Sequence, residues 1–189
     1  MNRMKKESIA EATFRQNELY QEAAGSYGAA LERLARGYEA DPDRRRDLVQ
    51  EIHLALWQSF AGFDARCSVR TWVYRVAHNV ATSWVIRERR VNSRELVGIE
   101  LLEALPTGND GERVVDRRNA LEKLLQLIHQ LKAIDRQVVL CYLDGMDAAS
   151  IGEITGISPG NVATKVHRIK NVLAHRFHEG GSHGKRNSQ

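Results

Sequence analysis

Cysteine is almost missing from this chain: 189 residues hold two, Cys67 and Cys141, far apart in sequence. Neither has the paired spacing of a zinc site, and two are too few for a disulfide framework, so both are expected as reduced thiols. Long apolar runs are missing too. No stretch approaches the roughly 20 apolar residues that a membrane-spanning helix needs. The N-terminal segment MNRMKKESIAEATFRQNELY lacks the apolar core of a secretory signal and carries acids that a mitochondrial-type presequence avoids. A cytoplasmic protein is expected. Catalytic signatures are equally scarce, with no phosphate loop, HExxH, nucleophile elbow or Cys/His metal spacing, and seven histidines scattered without a carboxylate arrangement. An enzyme therefore ranks well below a binding protein, and no cofactor or metal is expected.

Only three prolines interrupt the chain, and strand-rich patterning is missing. What remains is a series of long helix-compatible segments. The fold expected is all-α, with two small helical domains joined by a flexible linker. A first helix covers about 17–38, where Gly25 and Gly28 weaken the pattern. Asp41-Pro42 is a helix-start signal, because the carboxylate caps free N–H groups and proline at the first position loses no hydrogen bond. The helix that follows buries Leu48, Ile52, Leu56 and Phe60, while Asp47, Gln50, Glu51 and Gln58 lie off that stripe. After a loop, Ala61 to Cys67, Ser68 caps the next helix. There Trp72, Val76, Val80 and Trp84, flanked by Val69, Val73 and Ala77, form the packing stripe, with Thr71, Tyr74, Arg75, His78 and Thr82 on the other side. Periodicity weakens from about Val91 to Gly111, and Leu105 to Gly111 reads as a flexible loop that marks the domain boundary. Leu121, Leu124, Leu125, Ile128 and Leu131 resume the helical pattern, followed by a helix over about 133–143.

Function is read most directly from Ala148 to Arg176. Ile151, Ile154 and Ile157 surround small Gly152 and turn residue Gly156, and Ser158-Pro159 then opens a helix with Val162, Val166, Ile169 and Leu173 buried. That is helix-turn-helix spacing. Two steeply crossing helices need a small residue at their close approach, a residue tolerant of positive φ in the turn, and apolar anchors behind the second helix. The outward face carries Asn161, Thr164, Lys165, His167, Arg168 and Asn171, suited to base edges and phosphates, and Ser158 begins a helix whose free N–H groups suit a phosphate. The net charge of +4 is compatible with such a polyanion, and basic groups cluster at Arg44 to Arg46, at Arg87 to Arg94 and at Lys165 to Arg176.

The segments DLVQEIHLALWQSF, FDARCSVRTWVYRVAHNVA and SIGEITGISPGNVATKVHRIKNVL, in this order, resemble the extracytoplasmic-function group of bacterial sigma factors. The resemblance implies a subunit that joins core RNA polymerase, recognises the −10 and −35 promoter elements, assists melting and is held by an anti-sigma protein. It places Asp47, Gln50, Glu51 and Trp57 against core polymerase. It places Phe63, Tyr74, Arg75, Asn79 and Ser83 at the −10 element, with Arg87, Arg89 and Arg90 on backbone phosphates. Ser158, Asn161, Thr164, Lys165, His167 and Arg168 fall at the −35 element. The organisation implied is a tail (1–16), a region 2-like domain (17–92), a linker (93–116), a region 4-like domain (117–178) and a disordered tail (179–189). Three departures from the family pattern stand out: Arg44-Arg45-Arg46 where an acidic run is common, Ala163 where a basic residue is frequent, and Thr155 in place of an apolar residue. A regulator that uses the same helix-turn-helix beside an unrelated sensor domain would leave Asp47 to Ala81 unexplained.

Overall fold

A computed structural model describes the backbone of residues 2–92 and 117–179, and side chains of residues 11–88 and 120–176. Two units, Met1–Asn92 and Ser93–Gln189, each have their own core. The expected linker and C-terminal tail lie largely outside the described residues. Among the described residues the elements are all helices, joined by short turns and loops, as expected.

In the first unit α1 spans Asn2–Arg36, α2 Pro42–Ser59 and α3 Val69–Asn92. Helix α1 begins some fifteen residues before the expected start. Its first turns contain neither glycine nor proline, and its two glycines leave open space where a Cβ would stand, so they weaken the helix by propensity alone, about 1 kcal/mol each. Packing offsets that loss: Ala23, Leu31, Leu34 and Ala35 are buried against α2 and α3. The start of α2 agrees with its sequence signal. Pro42 is the first helical residue, and the Asp41 carboxylate accepts from the N–H groups of Asp43 and Arg44 at 3.0 and 2.9 Å. Leu48, Ile52, Leu56 and Phe60 form its buried stripe. A short 3-10 turn, Phe60–Gly62, leads into the loop, and Ser68 Oγ accepts from the Thr71 N–H at 3.0 Å to start α3.

Helix α3 is turned relative to expectation. Its fully packed side holds Thr71, Val73, Tyr74, Ala77, His78 and Ala81, whereas Trp72, Val76, Val80 and Trp84 are half-buried along the flank. The cause is α1 with the turn that follows it, which cover the side expected to face solvent: Tyr27 meets Tyr74 edge-on with centroids 6.3 Å apart, and the hydroxyl of Tyr38, just past α1, lies 2.9 Å from His78 Nδ1.

The second unit contains α4 (Arg117–Gln130), α5 (Ala133–Leu143), α6 (Ala148–Thr155) and α7 (Pro159–Glu179). Its core is Ile128, Leu131, Val138, Val139, Cys141, Ile151, Ile154, Val162, Ile169, Val172 and Leu173. Leu121, expected in the apolar face, is 46% exposed. The turn between α6 and α7 is built as its glycines require. Gly156 has φ +77°, and a Cβ on Gly152 would stand 2.8 Å from the Ile157 carbonyl oxygen. The Asp147 carboxylate caps α6 by accepting from the Ser150 N–H at 2.8 Å.

Candidate nucleic-acid interface

Arg75, Asn79, Ser83 and Arg87 recur every four residues and so run along one side of α3. Asn79 and Ser83 are exposed, Arg75 is half-buried, and Ile86 stands beside Ser83 at 49% exposure. Exposed amide and hydroxyl groups next to cations can hydrogen-bond unpaired bases and hold a strand's phosphates. Tyr74 does not belong to this surface. It is 2% exposed, and α1 covers it, so its expected contact with DNA is corrected to a core role. Arg89 and Arg90 lie on the last turns of α3, and their side chains are outside the described residues.

Phe63 anchors the preceding loop. Its ring is half-buried between Phe60 and Trp72, edge-on to both, with centroids at 5.9 and 5.3 Å. The loop beyond it turns through Ala65, whose φ is +60°, an unusual conformation for a residue with a Cβ. Asp64 closes that turn by accepting from the Arg66 backbone N–H at 3.2 Å, and this bond holds the Asp64 carboxyl below its ordinary pKa.

On α2, Asp47 and Gln50 are exposed and Glu51 is partly so. Leu54, in line with Asp47 and Gln50 at helical spacing, is 56% exposed and was missed as a surface residue. An exposed leucine between polar neighbours is a visible signal only once its helix face is known. Glu51 is engaged within the chain: its carboxylate oxygens accept from Arg87 Nη2 at 2.7 and 2.8 Å, and the Arg87 guanidinium lies 5.6 Å from the Trp84 ring centre. Trp57 is half-buried, its indole N–H donating to Asn17 Oδ1 at 2.8 Å, while Gln16 Nε2 donates to the Trp57 carbonyl at 2.8 Å. The middle of α1 thus braces the end of α2, and nothing in its sequence pattern signals it.

The arginine run at the start of α2 is largely balanced locally. Arg44 pairs with Glu88 of α3 and with Glu39 at 3.3 Å, and Arg46 pairs with Asp43. Glu88, as hydrogen-bond acceptor, holds the Arg44 guanidinium still more firmly in its charged form. Glu39 also accepts from the Trp84 indole N–H at 3.1 Å.

In the second unit Ser158, Asn161, Thr164 and His167 are exposed on α7, with Arg168 half-exposed. Ser158 Oγ accepts from the Asn161 N–H at 3.3 Å, which opens the helix as expected. Asn171 Nδ2 and His167 Nε2 are 3.1 Å apart on the same side. Lys165 is placed differently. Its ammonium sits 2.6 Å from a carboxylate oxygen of buried Asp135 on α5. Thr155 donates its hydroxyl to the Ile151 carbonyl at 2.7 Å, so the polar side chain behind the turn is satisfied inside its own helix.

The chain matches the model of Sigma-70 region 2 over residues 24–91 and that of Sigma-70 region 4 over residues 121–173, together more than half its length. It is 26% identical over 151 residues to the RNA polymerase sigma factor NccH of Alcaligenes xylosoxydans xylosoxydans, covering 78% of this chain and 80% of that one. With the extracytoplasmic-function sigma factor SigW of Bacillus subtilis it shares 28% identity over 140 residues, 67% of this chain and 72% of the relative. Among solved structures, that of CnrH in complex with the cytosolic domain of CnrY is similar with a TM-score of 0.61 at 19% identity, over 90% of this chain and 94% of the other. The sigma factor RpoE in complex with the anti-sigma factor NepR, from Bartonella quintana, also gives a TM-score of 0.61, at 16% identity over 84% and 96% of the two chains. With both regions in the family's order, and with relatives of that kind along most of its length, the chain belongs to the extracytoplasmic-function group of bacterial RNA polymerase sigma factors.

Proposed function

We propose that this sigma factor acts in the cytoplasm by binding alone, through two surfaces on its first unit and one on its second. The exposed side of α2, Asp47, Gln50 and Glu51 with Leu54, docks on core RNA polymerase, its carboxylates suited to a basic partner surface and the leucine to an apolar contact. Trp57 shapes the end of this side through its ring. The α3 stripe, Arg75, Asn79 and Ser83, with Phe63 at the mouth of the loop, takes the −10 strand once polymerase helps to part it. Arg87, Arg89 and Arg90 hold phosphates upstream, adding affinity without sequence information. Ser158 at the start of α7, with Asn161, Thr164, His167 and Arg168 along it, faces the −35 duplex.

One observation carries this reading: a region 2 helix pair with an exposed amide-and-hydroxyl stripe and a region 4 helix-turn-helix stand in order in one chain. A chain with only the second unit would read DNA without recruiting polymerase. Restraint by an anti-sigma protein fits the same surfaces, since a partner seated on the α2 side would exclude core enzyme. In the similar structures CnrH is in complex with the cytosolic domain of CnrY, and RpoE with the anti-sigma factor NepR. The test is selection from a randomised promoter library by core polymerase with and without the chain. Enrichment of a two-part motif only in its presence is expected. Failure to bind core polymerase, with no motif enriched, would overturn the reading in favour of a DNA-binding regulator.

A further inference from the structure

Lys165 lies on the recognition helix among residues that face DNA, yet its register is that of the core. Val162, Lys165, Ile169 and Val172 follow one another at three-, four- and three-residue steps, which places them on one side of a helix. Val162, Ile169 and Val172 are all buried, at 0%, 1% and 7% exposure. Thr164, His167 and Asn171 are exposed around the opposite side, and Asn161 is exposed in the first turn. The Lys165 stem runs inward beside the apolar residues, and its ammonium reaches Asp135 Oδ1 at 2.6 Å. The Asp135 side chain is 4% exposed, that of Lys165 31%. Asp135 stands in the first turn of α5, the helix against which α7 packs.

We infer that Lys165 is a positioning residue, which with buried Asp135 forms a part-buried ion pair that sets the register of the recognition helix on α5. The inference rests on the proposal that α7 reads duplex DNA. Turning the ammonium outward to a phosphate would leave the Asp135 carboxylate buried and unpaired. Stranding a buried charge in this way shifts an equilibrium by on the order of a hundredfold or more, whereas an exposed phosphate contact returns far less. The pair therefore stays closed when DNA binds. Base reading is left to Asn161, Thr164, His167 and Arg168, whose approach to the groove depends on how α7 is seated.

The test uses holoenzyme assembled from the full chain and core polymerase, on a promoter duplex that the wild-type holoenzyme selects. Affinity is measured across a salt series, and on duplexes with single-base changes in the upstream element, for wild type, K165M, D135L/K165M and R168Q. Folded fraction is followed by circular dichroism. K165M is expected to lose roughly tenfold or more in affinity, together with discrimination in the upstream element, because Asp135 is stranded. D135L/K165M, which replaces the pair by apolar groups of similar size, is expected to recover both, with the wild-type dependence of affinity on salt. The inference is overturned if the double variant stays as weak as K165M and its log–log salt slope is shallower by about 0.9, the signature of one lost phosphate contact. It is overturned equally if K165M binds as wild type does, or if its loss vanishes once affinity is corrected for folded fraction. Failure of the underlying duplex-reading proposal looks different: R168Q and the upstream base changes would then leave wild-type affinity untouched.

Discussion

Individual side chains decide what each surface is free to do. His78 is buried beneath α1, and burial pushes its pKa down to about 3 from 6.5. Below pH 6.5 the unfolded chain takes up a proton that the folded chain refuses. Stability is thus fully present above that pH and falls as pH drops toward 3, by up to about 1.4 kcal/mol per pH unit. His53, also lowered by burial, adds to the same trend. Urea unfolding followed by fluorescence of Trp57, Trp72 and Trp84, all in the first unit, should show the midpoint dropping from pH 7 to pH 5. H78N should flatten that drop; an equally steep dependence in the variant would contradict the assignment to His78. The inward side of Lys165 was legible in the sequence, since its spacing to Val162 and Ile169 matches theirs to the core, but a cation on a recognition helix reads first as a DNA contact. The burial of Tyr74 was not legible. An aromatic hydroxyl suits either surface, and only the reach of α1 decides between them.

At the scale of elements, capping and turn chemistry were the most legible features, because they depend on a few adjacent residues. Asp41-Pro42, Ser68, Gly152, Gly156 and Ser158 all act as their local pattern implies. Helix α1 was only partly legible, since its glycines weigh on propensity while its stability comes from packing on α2 and α3. In the helix-turn-helix, G152A forces a Cβ against the Ile157 carbonyl, and a loss of about 1–3 kcal/mol is expected from overpacking at the crossing. Thermal unfolding by circular dichroism measures it, and a variant as stable as wild type would show that the two helices can part at no cost. The arginine run of α2 yields a second expectation. Because Arg46 is paired with Asp43 at an exposed site, R46A should cost under about 1 kcal/mol in stability and change core-polymerase affinity by less than about threefold. D47N, on the exposed docking side, should weaken core binding by about tenfold, a change of about 1.4 kcal/mol. Equal effects of the two substitutions in a fluorescence titration with core enzyme would contradict the proposed docking side.

For the whole molecule, the decisive property of the proposed function is that one chain holds a region 2 unit that docks on polymerase and a region 4 unit that reads duplex DNA, so that promoter choice follows from two elements read together. This order was legible because each region carries its own dense motif, whereas the linker expected over 93–116 lies outside the described residues. Exposed Asn79 lies at the centre of the proposed −10 surface, with Arg75 and Ser83 one helical turn to either side. Its substitution should spare folding while removing base contacts that form only when the strands part. The most direct measurement is run-off transcription by core RNA polymerase on the selected promoter, with wild-type chain, with N79A and with no added chain. Defined transcripts with the wild type, a loss of at least about tenfold with N79A at unchanged core binding, and none without the chain are expected. Transcripts independent of the chain, or equal output from N79A, would contradict initiation through this surface.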